Sequence, residues 1–381
     1  MKCQAQIKTG IKDIMEQILN IHNLNLSFGP KEIFCQASFQ VNRGDRIGLL
    51  GLNGKGKSCL LKILNEDLHP DVTDPPCRFV KSNTLYSVCH IPQELPVPVR
   101  SINLSDYFFY FFPEIRILKQ NLDQVTQNIE KNENGEIENL ISSQKELMDT
   151  FESKNLWQQQ DLYKSYLKHF GLSQFEQDIQ ELSGGEKRKV LIALGLSSPA
   201  QLILWDEPTN HLDLESINNL EQELLLCGKT FILISHDRYL LSKVTNKVLQ
   251  INKAKIDSFA GSYTQYLEFL KSEEESRVRL LARLKNRLKR EQDWMNQGIK
   301  ARGTRSKKRV ENFVDLRDRV SKIKEDAKKR LNLSIGKSER KSKKLFEIKN
   351  GDFSFEGEKE IFDNISIEVF KNDKIGILGA N

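Results

Sequence analysis

The segment Gly51-Leu52-Asn53-Gly54-Lys55-Gly56-Lys57-Ser58 leaves few folds open to this chain. It has the spacing Gly-x4-Gly-Lys-Ser. It follows the short apolar run Ile47-Gly48-Leu49-Leu50 and precedes Cys59-Leu60-Leu61-Lys62-Ile63-Leu64, which has helical character. A strand that turns through glycines straight into a helix belongs to an α/β architecture with a buried sheet. The glycines let successive backbone N–H groups turn inward and approach an anion with no Cβ in the way. The helix N-terminus adds partial positive charge. The eight residues are therefore expected to wrap a triphosphate, with Lys57 reaching its β- and γ-phosphates and Ser58 offering a hydroxyl to Mg²⁺.

Two more apolar runs end in reactive side chains. Leu202-Ile203-Leu204-Trp205 reads as a buried strand ending in Asp206 and Glu207, and Pro208 stops it. Asp206 at the strand tip suits Mg²⁺, usually through water, while Glu207 is placed to orient or polarise an attacking water. Adjacent residues on an extended strand point to opposite sides, which makes separate roles natural. Phe231-Ile232-Leu233-Ile234 is a second buried strand, and Ser235-His236 at its end puts His236 at the γ-phosphate. Ser183-Gly184-Gly185 precedes a helix from about Glu186 to Leu196. A hydroxyl, backbone N–H groups and a helix N-terminus make a second anion cradle there. Two cradles in one chain suggest a nucleotide shared between two surfaces.

With these segments in order from about Leu19 to Ile251, the chain resembles an ATP-binding cassette protein. The resemblance implies a P-loop NTPase fold, a mixed sheet flanked by helices, with ATP and Mg²⁺ as ligands. It implies that Phe28 stacks on adenine and that Gln93 senses Mg²⁺ and the γ-phosphate. It also implies that Ser183, Gly184 and Gly185 contact ATP held by an opposing cassette, and that Asp213 lies in the loop linking paired sites. On residue type alone, Phe28 reads as a core aromatic and Gln93 as a surface polar residue. Trp205 departs from the small or branched aliphatic residue usual before the Asp–Glu pair, without removing a reacting group.

The cassette is expected over residues 19–262, after an extension over 1–18 in which Met15 is an alternative start. Residues 113–153 carry Leu118, Leu122, Val125 and Ile129, then Ile137, Leu140, Ile141 and Leu147, with turn-like Asn132-Glu133-Asn134-Gly135 between. This reads as an antiparallel helical arm. Residues 263–344 read as a charged helical-hairpin linker. Leu281, Leu284 and Leu288 mark one helical face, and Phe313, Leu316, Val320, Ile323 and Ala327 another. Gly298 and Gly303 bracket its tip, where Lys300, Arg302, Arg305, Lys307, Lys308 and Arg309 crowd near Trp294. From Lys271 to Lys344 there are 26 Lys and Arg against 11 Asp and Glu, a local +15 in a chain of net +6, so the remainder carries −9. Such a block suits a polyanion, with phosphate contacts from the cations and base stacking by Trp294.

The opening of the cassette then repeats. Lys31-Glu32-Ile33-Phe34 recurs as Lys359-Glu360-Ile361-Phe362, and eight of the next nineteen positions are identical. Residues 345–381 thus read as the start of a second cassette. Two cassettes joined by a charged hairpin without membrane spans resemble the ABC-F family of ribosome-associated ATPases. Trp294-Met295-Asn296-Gln297-Gly298-Ile299-Lys300-Ala301-Arg302 looks most like the linker of its Uup-type branch. In that family the linker enters the ribosome near P-site tRNA; DNA is the alternative polyanion. One phosphate loop and one signature, both on one cassette, imply weak turnover unless two copies associate head to tail.

No run approaches the ~18 apolar residues of a membrane helix, no secretory leader is apparent, and the six cysteines are scattered without close pairs. These features suit a reducing cytosol and disfavour a disulfide framework or structural zinc. Cys59 reads as a small buried helix residue. The leading expectation is an ATP-hydrolysing protein acting on translation. The alternatives are a non-enzymatic nucleic-acid-binding remnant and a transporter ATPase subunit, the latter opposed by the tandem layout and basic linker.

Overall fold

The computed structural model describes residues 17–81, 87–131, 137–296, 307–330, 344–353, 362–370 and 373–376. In chain order the elements begin β1 (Gln17–Phe28), β2 (Lys31–Asn42), β3 (Arg46–Leu50), α1 (Lys57–Leu64), β4 (Arg78–Lys81), β5 (Val88–Ile91) and α2 (Tyr107–Phe111). There follow α3 (Pro113–Lys131), α4 (Ile137–Ser153), α5 (Leu156–His169), α6 (Gly184–Ser197), β6 (Leu202–Asp206), α7 (Leu214–Leu226), β7 (Thr230–Ile234) and α8 (Arg238–Val244). The last are β8 (Lys247–Asn252), β9 (Lys255–Ala260), α9 (Tyr263–Asn296), α10 (Lys307–Arg330), β10 (Lys344–Phe353) and β11 (Phe362–Phe370). They divide into two compact units, one reaching Phe269 and one starting at Leu270.

In the first unit the main sheet has the order β5-β6-β7-β3-β8-β9, with every pairing parallel except β8 with β9. Strands buried on both faces need continuous rather than alternating apolar sequence, which is why three uniform apolar runs mark β3, β6 and β7. Because β7 lies between β3 and β6, the segments following Leu50, Asp206 and Ile234 leave the sheet at neighbouring C-terminal ends. One face of the sheet, through Ile47, Leu49, Leu204 and Ile232, joins Leu60, Leu61 and Ile63 of α1 in a single buried cluster. The antiparallel sheet β2-β1-β4 completes that cluster with Leu19, Ile21 and Phe34. Each such side chain contributes about 1.5–3 kcal/mol by leaving water. Cys59 is half-buried against this core rather than fully enclosed.

The other face accounts for Trp205. Its side chain is fully buried, and a Cβ built on Gly195 would lie 2.3 Å from the indole Cη2. Helix α6 passes the ring with only a glycine between backbone and indole. The bulky residue that departs from the usual pattern before the acid pair is thus accommodated by the smallest residue on the facing helix.

The internal repeat extends to backbone irregularities. β1 and β2 pair antiparallel, as do β10 and β11 in the second unit. Positive φ occurs at Asn23 (57°) and Gln36 (51°), and again at Asn350 (46°) and Asn364 (52°). The Asn23 N–H donates to Ser38 Oγ and the Asn350 N–H to Ser366 Oγ, each at 3.1 Å. Likewise Gln36 donates to Asn25 Oδ1, and Asn364 to Asp352 Oδ1. Bulges that recur with their side-chain partners show one hairpin design used twice.

Helices α3 and α4 pack together, with Gln144 Nε2 donating to Thr126 Oγ1 at 2.9 Å. The connecting turn at Asn132–Gly135 lies outside the described residues. Helix α9 runs for 34 residues, roughly 51 Å, and half-buries Leu281, Leu284 and Leu288. On α10, Phe313 and Leu316 are half-buried and Val320 is buried. The expected tip between Gly298 and Gly303 falls outside the described residues.

Candidate functional site

The phosphate loop closes on β2. Gly56, the N-cap of α1, has φ of 98°, and a Cβ there would stand 2.4 Å from Ile33 Cγ2 and 3.1 Å from the Phe34 ring. Both conformation and space restrict this position to glycine. Lys57 donates from Nζ to the Gly51 carbonyl at 2.8 Å and to Asn53 Oδ1 at 3.2 Å, which holds the ammonium against the loop. Asn53, Gly54, Gly56, Lys57 and Ser58 line a cleft of about 520 Å³ together with Phe28, Gln93, Asp206, Glu207 and His236. Ten residues expected from sequence to handle nucleotide therefore share one cavity. Gly51, Leu52 and Lys55 belong to the loop but not to the cavity wall, and Leu52 is 75% exposed. Phe28 is half-exposed, a ring available for stacking rather than a core aromatic.

The acid pair differs from the sequence expectation in one respect. β6 ends at Asp206, and Glu207 adopts φ of 51°, so the two residues do not sit on one extended strand. Glu207 still donates its N–H to the Ile234 carbonyl at 2.9 Å. Glu207 is buried, 7% exposed, and its carboxylate accepts from the His236 N–H at 3.1 Å. His236 Nε2 lies 3.4 Å from Glu207 Oε1, while the imidazole itself remains mostly exposed. A low-solvent carboxylate is thereby fixed beside an accessible histidine. Ser58, Asp206 and Gln93 offer a hydroxyl, a carboxylate and an amide, hard oxygen donors that fit Mg²⁺ arriving with a phosphate ligand better than a dedicated protein cage.

Arg188 was not singled out in the sequence. It sits four residues past Gly184 on α6, is buried, and donates from Nη1 to the Pro92 carbonyl at 3.3 Å, next to Gln93. Burial lowers its pKa, opposed by the charges of Asp206, Glu207 and Glu94. The run Lys187-Arg188-Lys189 looks like a solvated helix face; only its one-turn spacing from Gly184 hinted otherwise.

Ser183, Gly184 and Gly185 do not line the cleft. Ser183 caps α6 in a reciprocal box: its Oγ accepts from the Glu186 N–H, and its own N–H donates to the Glu186 carboxylate. Gly184 is exposed at that helix start. Asp213 also lies apart, capping α7 through the Ser216 N–H at 2.7 Å, with Lys189 Nζ 3.2 Å away. The hydrogen bond from Ser216, aided by Lys189, lowers its carboxyl pKa. Asp237, beside His236, caps α8 by accepting from Tyr239 and Leu240 N–H groups. Asp237→Ala is expected to cost about 1 kcal/mol, read as a lower denaturation midpoint; an unchanged midpoint would remove the cap from the stability account.

Of the expected polyanion contacts, Trp294 lies near the end of α9, and Lys307, Lys308 and Arg309 open α10, with Lys308 exposed. Lys300, Arg302 and Arg305 lie outside the described residues. Among the described residues, no helix is long and apolar enough to cross a membrane.

Comparison with known proteins finds relatives of the chain. Residues 34–210 match the family model described as ABC transporter. The "Uncharacterized ABC transporter ATP-binding protein YfmR" of Bacillus subtilis is 30% identical over 96% of this chain and 56% of its own length. The "ATP-binding protein Uup" of Escherichia coli is 30% identical over 96% of this chain and 55% of its own. The "Energy-dependent translational throttle protein EttA" of Mycobacterium tuberculosis is 26% identical, over 96% and 63%. The chain spans a little over half the length of these curated relatives.

Proposed function

This chain carries an ATP-binding cassette domain and is homologous along nearly all of its length to the ABC-F protein Uup, and on that premise we propose that its cleft binds Mg²⁺·ATP and hydrolyses it. The carrying observation is that Lys57, Ser58, Gln93, Asp206, Glu207 and His236 line a single cavity. In this reading Phe28 stacks on adenine and Gly51 to Ser58 wrap the phosphates. Lys57 exchanges its bonds to the Gly51 carbonyl and Asn53 for the β- and γ-phosphates. Ser58, Asp206 and Gln93 would hold Mg²⁺, whose positive charge would offset that of the phosphates. Glu207, held by the His236 N–H, orients and polarises the attacking water, and His236 steadies the γ-phosphate.

In this reading Ser183 to Gly185, which stand outside the cleft, serve ATP held by an opposing cassette, with Asp213 near the same interface, as the resemblance to the family implies. Two copies associated head to tail would supply one. We read residues 19–262 as this cassette, with 113–153 as its arm, 263–344 as the linker and 345–381 as the opening of a second cassette.

The linker extends the reading to translation in the cytoplasm. Its excess of basic residues and the translational role that the name of EttA states support a ribosome, with tRNA as the polyanion, over DNA. Closure of two cassettes on ATP would move the hairpin, and hydrolysis would release it. Co-sedimentation with ribosomes tests this. ATP is expected to increase the bound fraction, Glu207→Gln to trap it, and neutralising Lys300, Arg302 and Arg305 to abolish it. Binding indifferent to nucleotide and to both changes, or DNA displacing ribosomes at equal phosphate, would contradict it.

A further inference from the structure

A second lysine lines the cleft. Lys31 opens β2 and pairs with Phe28 across the Gly29–Pro30 turn. Its Nζ donates to the Gly54 carbonyl at 3.2 Å, and Gly54 lies midway along the phosphate loop. Lys31 therefore spans from the aromatic rim to the loop, whereas Lys57 is held at Gly51 and Asn53.

A simple strap explains this poorly. One hydrogen bond from an exposed lysine adds little net stability, and fixing a long side chain costs rotamer entropy. An ammonium has three donors and no acceptor. With one donor on the Gly54 carbonyl, two are left for an anion. The same contact offsets a carbonyl dipole that would otherwise oppose a phosphate at the loop. The internal repeat also retains this lysine, as Lys359, where more than half of the next nineteen positions differ.

With a base on Phe28 and the terminal phosphates at Lys57 and Ser58, the stretch between them holds the ribose and the first phosphate. Resting on the nucleotide reading of the cleft, we propose that Lys31 is a second phosphate-binding cation, acting at the phosphate nearest the nucleoside. Since ADP and ATP share that phosphate, Lys31 sets affinity for both equally.

Calorimetric titration of the full chain with ADP and with ATP in Mg²⁺ tests this in wild type, Lys31→Gln, Lys31→Arg and Lys57→Ala. Lys31→Gln is expected to weaken both nucleotides by the same factor, about tenfold, the effect of one charge-assisted hydrogen bond. Lys31→Arg retains wild-type affinity. Glutamine keeps an N–H donor but no charge, so affinity for both nucleotides that survives Lys31→Gln overturns the proposal. Loss confined to ATP would also overturn it, by moving the contact to the terminal phosphate. If Lys57→Ala weakens binding while Lys31→Gln does not, the nucleotide reading stands and this inference falls. If wild type binds neither nucleotide, both fall.

Discussion

Replacing Glu207 with glutamine is expected to slow phosphate release by about 10²–10⁴-fold with little change in Mg²⁺·ATP affinity. The amide keeps an oxygen to accept from the His236 N–H, which the carboxylate meets at 3.1 Å, so the local fold persists. What disappears is the charge and basicity that polarise water. Glu207 is buried, where few solvent molecules can substitute for its carboxylate. A selective fall in turnover separates a residue acting in the transition state from one acting in uniform binding. In the head-to-tail reading proposed above, turnover of this chain should also rise more steeply than linearly with protein concentration. Glu207-dependent turnover that is robust in a strictly monomeric preparation would contradict the opposing-cassette part of the account.

Gly195→Ala should destabilise the fold by about 1–3 kcal/mol through overpacking. The new methyl would sit 2.3 Å from Trp205 Cη2 and 2.8 Å from two further ring atoms. The fully buried indole has no solvent to retreat into. Either the ring leaves its rotamer or α6, which carries Ser183 to Gly185, shifts away from the strand that carries Asp206. Trp205→Leu alone costs about 2–5 kcal/mol by leaving a cavity. Together the changes should cost less than their sum, because the smaller leucine makes room for the methyl and the methyl fills part of the space. Denaturant midpoints for the four chains of this cycle measure the coupling. Additive effects would show that the two residues do not share one packing problem.

The phosphate loop was legible because its glycine spacing, the apolar run before it and the helical run after it state one local structure three times. The acids and histidine were legible because parallel strands buried on both faces advertise themselves as uniform apolar runs whose polar ends meet at one edge. Glu207 lines the cleft, but its backbone conformation has no local signal in the sequence. Strand ladders end where tertiary pairing ends, and Glu207 at φ 51° lies past that point. Arg188 escaped notice because a basic run on a helix reads as solvated until the packing on its inner side is known. The Trp205–Gly195 fit joins residues ten positions apart on different elements, and no local pattern encodes it. The repeat was visible in eight identities, but the bulges at Asn23 and Asn350 required the backbone.

Titration calorimetry of the purified, folded chain with Mg²⁺·ATP, set beside Lys57→Ala, bears most directly on whether this cleft is a nucleotide site. The expected result is saturable binding by wild type and an affinity at least about tenfold lower in the variant, which loses a charge-assisted contact to phosphate. No heat of binding from folded wild-type chain, or an affinity that survives Lys57→Ala, would contradict it.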